Sequence, residues 1–254
     1  MSIGYQFEQG VATLTFNRPD KKNAITGEMY EAIVRHLREA ATDKAVRAVL
    51  FTGAGTAFTG GNDLKDFGDP KFARPDSPVL SFMQALATFE KPAVAAVNGM
   101  AVGIGVTMLL HCDLVYAAEG AGFSMPFVNL GLVPEFGSTL LLPMIAGRVR
   151  AAEALLLGRP FNAAAALAMG IVNAVLPPAE LLAHAQGIAR SFNALPPGAI
   201  RETKLLLRQA QATPVHEAIM REAAAFGPRL AGPEAREAIA AIREKRAPDF
   251  SRTG

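Results

Sequence analysis

Two glycine-rich segments carry residues that could hold a substrate oxygen. The first reads AFTGGNDL at positions 57–64, and the second reads NGMAVGIG at positions 98–105. Each follows a short apolar run, 48–52 and 93–97, that is typical of a buried strand. Glycine allows a sharp turn and brings backbone N–H groups close to a ligand. Two such turns side by side would aim two N–H groups at one oxygen, which is the arrangement of an oxyanion hole.

A third segment, PFVNLGLVPEFG at positions 126–137, contributes a single carboxylate, Glu135. Its neighbours are apolar, so desolvation should raise the pKa of this side chain toward neutrality. A desolvated base beside two N–H donors predicts proton transfer next to a carbonyl group. The competing interpretation is that Glu135 only stabilises the start of a helix at 138–145 through the helix dipole.

Composition excludes several other chemistries. The chain has 254 residues, a net charge of +2 and one cysteine, Cys112. It therefore lacks an intramolecular disulfide framework and a cysteine metal cluster, and its charge gives no reason to expect nucleic acid or a membrane surface as a partner. The N-terminus has no signal-peptide pattern and the most apolar stretch, 100–110, is too short to span a bilayer. We expect a cytoplasmic protein without a bound metal.

The histidines offer no alternative site. None of the four has a serine or aspartate partner motif, and no Gly-x-Ser-x-Gly elbow or Gly-x-Gly-x-x-Gly fingerprint is present. The four are His36, His111, His184 and His216.

The elements that must position these segments follow from hydrophobic periodicity. The pattern predicts a β-hairpin over 3–17 and, in the first 195 residues, alternating strands and helices. The strands are predicted at 46–52, 93–97, 113–117 and 171–176, and the helices at 27–42, 78–90, 103–111, 138–157 and between Asn162 and Gly170. Four further helices are predicted at 179–194, 198–211, 214–226 and 233–245. We expect a core over 1–195 and a helical region over 196–254, packed either on its own core or across a neighbouring subunit.

In this order the segments resemble the crotonase superfamily, the enoyl-CoA hydratases and isomerases. The resemblance covers nearly the whole chain. It is carried by FNRP at 16–19, KNA at 22–24, the two glycine segments, CDL at 112–114, FSMP at 123–126 and LLLG at 155–158. It implies an α/β fold, a crotonase-like spiral of ββα repeats with a C-terminal helical trimerisation region. It also implies a homotrimer, often paired into a hexamer.

The resemblance further implies the residues of the site. The oxyanion-hole N–H groups fall on Gly60 and Ile104, with the thioester carbonyl of an acyl-CoA between them. Coenzyme A is then part of the substrate, and no separate cofactor is expected. The positions implied to bind substrate are Lys22, Ala24, Phe58, Gly61, Asn62, Asp63, Leu64, Gly103, Phe127, Leu130 and Pro134.

The carboxylates indicate the branch of the superfamily. Hydratases carry two glutamates, and the matching positions here are Thr107 and Phe127. Glu135 instead matches the catalytic glutamate of the peroxisomal-type Δ3,Δ2-enoyl-CoA isomerases, although Phe136 stands where glycine is common. We therefore expect an isomerase of fatty-acid metabolism with Glu135 as its proton shuttle. An enoyl-CoA hydratase or other lyase using Glu135 through water, and a non-catalytic acyl-CoA-binding member, remain as alternatives.

Overall fold

The computed structural model describes residues 2–66 and 77–253. The described strands are β1 (Ile3–Glu8), β2 (Val11–Phe16), β3 (Ala48–Gly53), β4 (Ala57–Thr59), β5 (Ala93–Val97), β6 (Met100–Val102), β7 (Leu114–Ala118), β8 (Gly122–Ser124), β9 (Phe161–Asn162) and β10 (Ala174–Leu176). The described helices are α1 (Gly27–Thr42), α2 (Pro78–Ala87), α3 (Ile104–Thr107), α4 (Ser138–Ala146), α5 (Arg148–Leu157), α6 (Ala163–Ala168), α7 (Pro178–Ser191), α8 (Pro197–Gln209), α9 (Ala212–Leu230) and α10 (Pro233–Glu244).

These strands form two sheets. The larger has the order β1-β2-β3-β5-β7-β10, in which β1 and β2 form the predicted antiparallel hairpin and the remaining pairs are parallel. The smaller has the order β4-β6-β8-β9. Strands β3 and β5 are almost entirely buried, as expected for parallel strands covered on both faces.

The chain alternates between the two sheets. In β3-β4-α2 and again in β5-β6-α3, the first strand joins the large sheet, the second joins the small sheet, and a helix follows. These are the ββα repeats that the family resemblance implies. The repetition places successive loops at the same edge of the small sheet.

The glycine segments meet at that edge. Strand β4 pairs in parallel with β6, with Ala57 opposite Met100 and Thr59 opposite Ala101. Gly61, at a φ of +82°, lies so close to β6 that a Cβ there would stand 2.6 Å from the carbonyl oxygen of Val102. The two loops therefore leave neighbouring strands side by side, as the sequence predicts.

Some predicted boundaries are wrong. The helix expected over 138–157 is two helices that break at Gly147, whose φ of +78° is incompatible with a continuous helix. The strand expected over 171–176 is confined to β10. Helix α9 begins at Ala212 rather than at Pro214, because proline is tolerated in the first turn of a helix.

The C-terminal helices pack on the core of their own chain. Lys204 of α8 places Nζ 2.6 Å from Asp113 Oδ2, and Arg208 donates to the carbonyls of Ala87 and Phe89. Helix α9 packs against α4, and α10 against the 3-10 turn at Val128–Leu130. The division of the chain at residue 195 stays a prediction. Among the described residues, no helix has the length and apolar character that crossing a membrane requires.

Candidate active site

Glu135 lies in the loop before α4 and its side chain is buried. The residue is 6% exposed, and Oε1 has no hydrogen-bond partner among the described residues. Burial, and after it the negative charge of Glu222, raise the pKa of Glu135, while a hydrogen bond from Asn62 lowers it; the resulting pKa is about 8. A carboxyl with this pKa can release and recover a proton near neutral pH.

Asn62 holds this carboxyl from the first glycine segment. The hydroxyl of Tyr30, a fully buried residue of α1, donates to Oδ1 of Asn62. Burial and the charge of Glu135 raise the pKa of Tyr30 well above its ordinary value, so the phenol stays a neutral donor. With its oxygen occupied by Tyr30, the Asn62 amide presents its NH₂ group to Glu135.

Two backbone amides near Glu135 lack acceptors among the described residues. The carbonyl oxygen of Ile25 accepts from Asp63 N at 2.9 Å, and the N–H of Ile25 donates to Gly61 O at 2.8 Å. Because backbone groups alternate in direction along an extended segment, the N–H of the intervening Asn62 points away from Ile25. Ile104 is the first residue of α3, where an N–H has no partner within the helix.

Gly60 does not offer the N–H expected of it. Its N–H donates to the carbonyl oxygen of Lys22 at 2.7 Å, so this amide is already engaged in holding the loop. The backbone N–H of Asn62, two residues further on, replaces it as the candidate donor that acts together with the Ile104 N–H.

Two cavities meet at Glu135. One has a volume of about 220 Å³ and the other about 240 Å³, and Asn62, Glu135 and Phe226 line both. The first, which we name the loop chamber, is lined by residues of the two glycine segments and the 126–135 loop: Gly60, Gly61, Asn62, Leu64, Val102, Gly103, Ile104, Pro126, Phe127, Leu130, Leu132 and Glu135, with Phe226 and Ile242.

The second cavity, which we name the tail chamber, lies between α2 and α9. It is almost wholly apolar apart from Asn62, Ser77 and Glu135. Its walls are Val79, Leu80 and Met83 of α2, Phe136, and Ile219, Met220, Ala223, Ala224, Phe226, Gly227 and Leu230 of α9. A polar group entering the loop chamber could thus carry an apolar chain past Glu135 into the tail chamber.

The turn after Glu135 has an unusual backbone. Phe136 and Gly137 both adopt positive φ, +66° and +70°, and phenylalanine there is strained. His111 Nε2 lies 2.7 Å from Phe136 O, and the two rings stack with centroids 4.0 Å apart. Burial lowers the pKa of His111 to about 4, so the neutral ring acts as a donor to this carbonyl.

Comparison with known proteins identifies the family. The family model of enoyl-CoA hydratase/isomerase matches residues 6–253. The chain belongs to the enoyl-CoA hydratase/isomerase family. A crystal structure of an enoyl-CoA hydratase/isomerase from Pseudoalteromonas atlantica T6c superposes with a TM-score of 0.94 at 41% identity, covering 98% of this chain and 100% of that one. The crotonase fold expected from the sequence is therefore confirmed.

Curated members of this family that resemble the chain have two kinds of name. Enoyl-CoA delta isomerase 2 of Rattus norvegicus is 41% identical over 215 residues, 82% of this chain and 55% of the rat protein. The chain thus spans about half the length of that relative. The 2,3-dehydroadipyl-CoA hydratase of Escherichia coli K12 is 33% identical over 96% of both chains. Family membership therefore leaves the reaction undecided, because the relatives carry both isomerase and hydratase names.

The structure gathers most of the site residues that family resemblance implies. Nine of them line the loop chamber: Gly60, Gly61, Asn62, Leu64, Gly103, Ile104, Phe127, Leu130 and Glu135. Phe58 does not, since it is fully buried and packs edge-to-face on Phe16. Asp63 braces its own loop. Burial would raise the pKa of Asp63, but the Lys65 N–H and Arg18, whose Nη1 lies 2.9 Å from Oδ2, lower it overall.

The remaining predicted positions lie outside both chambers. Lys22 is exposed, and its carbonyl oxygen rather than its ammonium serves the site, through Gly60. Ala24 accepts a hydrogen bond from Arg18 Nη1 at 2.7 Å, and Pro134 is half-buried beside Glu135.

Sequence reasoning missed Tyr30, Glu222 and the wall that α9 contributes. Tyr30 and Glu222 sit on amphipathic helices and reach the site only through the fold. The wall had a visible signal, because Ile219, Ala223, Phe226 and Leu230 recur at helical spacing.

Proposed function

We propose that this protein is a Δ3,Δ2-enoyl-CoA isomerase, which moves a double bond from C3 to C2 of an acyl-CoA. The observation that supports this best is the buried carboxyl of Glu135 at the junction of the two chambers, where it is the one acidic side chain among the described residues that line them. The two positions that carry glutamates in hydratases hold Thr107 and Phe127, neither of which can exchange a proton near neutral pH. One carboxylate suffices for isomerisation, since a single base can take a proton and return it.

The chemistry proceeds through a dienolate. Glu135 removes a proton from C2, and the electrons spread over C2 to C4 and the thioester oxygen. The N–H groups of Asn62 and Ile104 stabilise the charge that develops on this oxygen. Glu135 then returns the proton to C4, and the double bond is left between C2 and C3.

Burial favours this proton shuttle. The surroundings of Glu135 slow the exchange of its proton with solvent, and the raised pKa matches the base to an operating pH near neutrality. Asn62 and Tyr30 orient the carboxyl. The apolar tail chamber favours an acyl group with a hydrocarbon chain beyond C4.

The protein works as a homotrimer or hexamer in this proposal. Large apolar side chains remain exposed on α5 and α8, among them Val149, Leu156, Leu206 and Leu207. Burying them against further copies of the chain would remove this surface from water.

Hydration of 2-enoyl-CoA is the second candidate because relatives with hydratase names match over the full chain. Adding water requires one group to deprotonate water and another to protonate the α-carbon. The described site offers only Glu135 for both tasks.

A comparison of substrates decides between the two reactions. We expect the purified protein to turn over 3-enoyl-CoA far faster than it hydrates 2-enoyl-CoA, and Glu135→Gln to lower isomerisation by about 10²- to 10⁴-fold. In ²H₂O, part of the hydrogen that Glu135 removes from C2 should appear at C4 of the product, because one shielded base carries it between the two carbons. Glu119→Gln, an exposed carboxylate outside both chambers, is the matched control and should leave the rate unchanged. Faster hydration than isomerisation would overturn the proposal.

A further inference from the structure

Glu222 is a buried acid that the proposed mechanism does not use. It lies on α9, is 6% exposed, and forms no salt bridge within the described residues. The other buried charges have evident roles, since Glu135 faces both chambers and Lys204 pairs with Asp113. Burial raises the pKa of Glu222, while hydrogen bonds from Thr139 and Gly137 and the charge of Arg221 oppose that rise. A buried carboxylate depends on such compensation.

That compensation comes from the start of α4. Glu222 accepts hydrogen bonds from Gly137 N at 2.5 Å, from Thr139 N at 2.9 Å and from Thr139 Oγ1 at 2.6 Å. The N-cap residue of α4 is Gly137, which has no side chain to satisfy these N–H groups itself. Glu222 therefore caps α4 from a helix that lies far along the chain.

This cap is attached to the turn that carries Glu135. The backbone runs from Glu135 through Phe136 and Gly137, both at positive φ, directly into α4. His111 holds the Phe136 carbonyl on one side, and Glu222 holds the Gly137 amide on the other. A strained turn persists only where its surroundings fix it in this way.

Glu222 also acts on Glu135 through charge. It raises the pKa of Glu135, second only to burial. The other polar groups that face the base are Tyr30 of α1 and the amide of Asn62, while the neutral His111 lies across Phe136. Glu222 is thus the negatively charged neighbour of the base.

We propose that Glu222 is a positioning residue for proton transfer, fixing the left-handed turn that carries Glu135 and setting a second negative charge behind it. This inference rests on the proposed role of Glu135 as the base. Because α9 also forms the wall of the tail chamber, Glu222 ties the acyl-binding surface to the turn that holds the base.

Glu222→Gln tests the charge. The amide keeps an acceptor for the α4 cap but removes the negative charge, so the acidic limb of the kcat/KM profile should move to lower pH. Misplacement of the base should also lower kcat, by up to about 10²-fold, with little change in KM. Glu217→Gln is the matched control, since Glu217 lies on the same helix, is exposed and forms an ion pair with Arg221 at 3.7 Å. It should leave both the limb and kcat unchanged.

Variants of Thr139 test the hydrogen bond between Glu222 and the start of α4 independently. They also cover the case in which Glu222→Gln fails to fold. Thr139→Val removes the hydroxyl donor to Glu222 and should lower kcat, whereas Thr139→Ser retains the hydroxyl and should keep the parent rate. A Glu222→Gln variant with an unmoved acidic limb, or a Thr139→Val variant with the parent kcat, would overturn the inference.

An infrared titration separates this inference from the proposed reaction. The carboxyl signal of Glu135 is identified by subtracting the spectrum of Glu135→Gln, and its midpoint is followed with pH. In the Glu222→Gln background the midpoint should fall, whichever reaction the protein catalyses. A protein without isomerase activity but with this shift would refute the proposed function alone, and an unchanged midpoint would refute the role of Glu222.

Discussion

The side chain of Glu135 owes its properties to residues that are distant in sequence. Its apolar neighbours in the chain already predict desolvation, and the structure places it in a buried loop. Tyr30, Asn62 and Glu222 then reach it from three separate elements. The local sequence could therefore predict the direction of the pKa shift, but the groups that orient the carboxyl become visible only when the chain is folded.

The pKa of Glu135 predicts how activity depends on pH. The base must be deprotonated in the free enzyme, so kcat/KM should rise with pH along a limb centred near pH 8. Steady-state kinetics from pH 5 to pH 10, with enzyme stability checked at each point, measures this limb. A limb centred near the ordinary value of 4.5 would contradict the burial of Glu135 in solution.

The same shift predicts how stability depends on pH. The folded protein holds this proton up to about pH 8, whereas the unfolded chain releases it near 4.5. The cost of burying Glu135 is therefore absent below pH 4.5 and grows until about pH 8, by roughly 1.4 kcal/mol per pH unit. Denaturant titrations should show Glu135→Gln gaining stability over the parent across this range. If the variant and the parent differed in free energy of unfolding by the same amount at pH 5 and at pH 8, the raised pKa of Glu135 would be contradicted.

At the scale of elements, long periodic segments were predictable and short ones were not. The hairpin β1-β2 and helix α1 lie where the periodicity places them. Strands β4, β6 and β8 have three residues each, and two of them lie inside the glycine segments. Too few residues alternate there for a period to show. Hydrogen bonding with neighbouring strands, rather than local preference, forms these strands.

The start of α3 allows a clean test of the oxyanion hole. Proline is tolerated at the first position of a helix, so Ile104→Pro should remove one N–H donor with little damage to α3. We expect kcat to fall by about 10²- to 10³-fold. Ile104→Val retains the N–H and serves as the control. Circular dichroism establishes that both variants fold, and a folded Ile104→Pro with the parent kcat would exclude this donor.

For the whole molecule, the sequence left open whether the C-terminal helices pack on their own chain. They do so through Lys204 and Arg208, yet exposed leucines remain on α8. The spacing of these leucines within one helix could not reveal which face the core would leave uncovered. That depends on where Asp113 and the carbonyls of Ala87 and Phe89 lie in space.

These exposed residues lead to a prediction about assembly. Multi-angle light scattering should give a mass of three or six copies of the 26.8 kDa chain. Leu207→Glu places a charge on this surface and should shift the mass toward one copy. A single copy of the parent at micromolar concentration would contradict the prediction.

Asn62 acts through both its backbone and its side chain, and this affects how the site would appear in a mutational survey. Its proposed oxyanion contact belongs to the backbone, whereas its contacts with Tyr30 and Glu135 belong to the side chain. Alanine scanning would delete the side-chain contacts of Asn62 and leave its backbone N–H intact. At Ile104 it would likewise leave the backbone N–H in place. The survey would thus record the side-chain contacts of Asn62 and nothing of what the two N–H groups contribute. Replacing the amide by an ester at positions 62 and 104, which exchanges N–H for O and spares both side chains, would show what the scan leaves hidden.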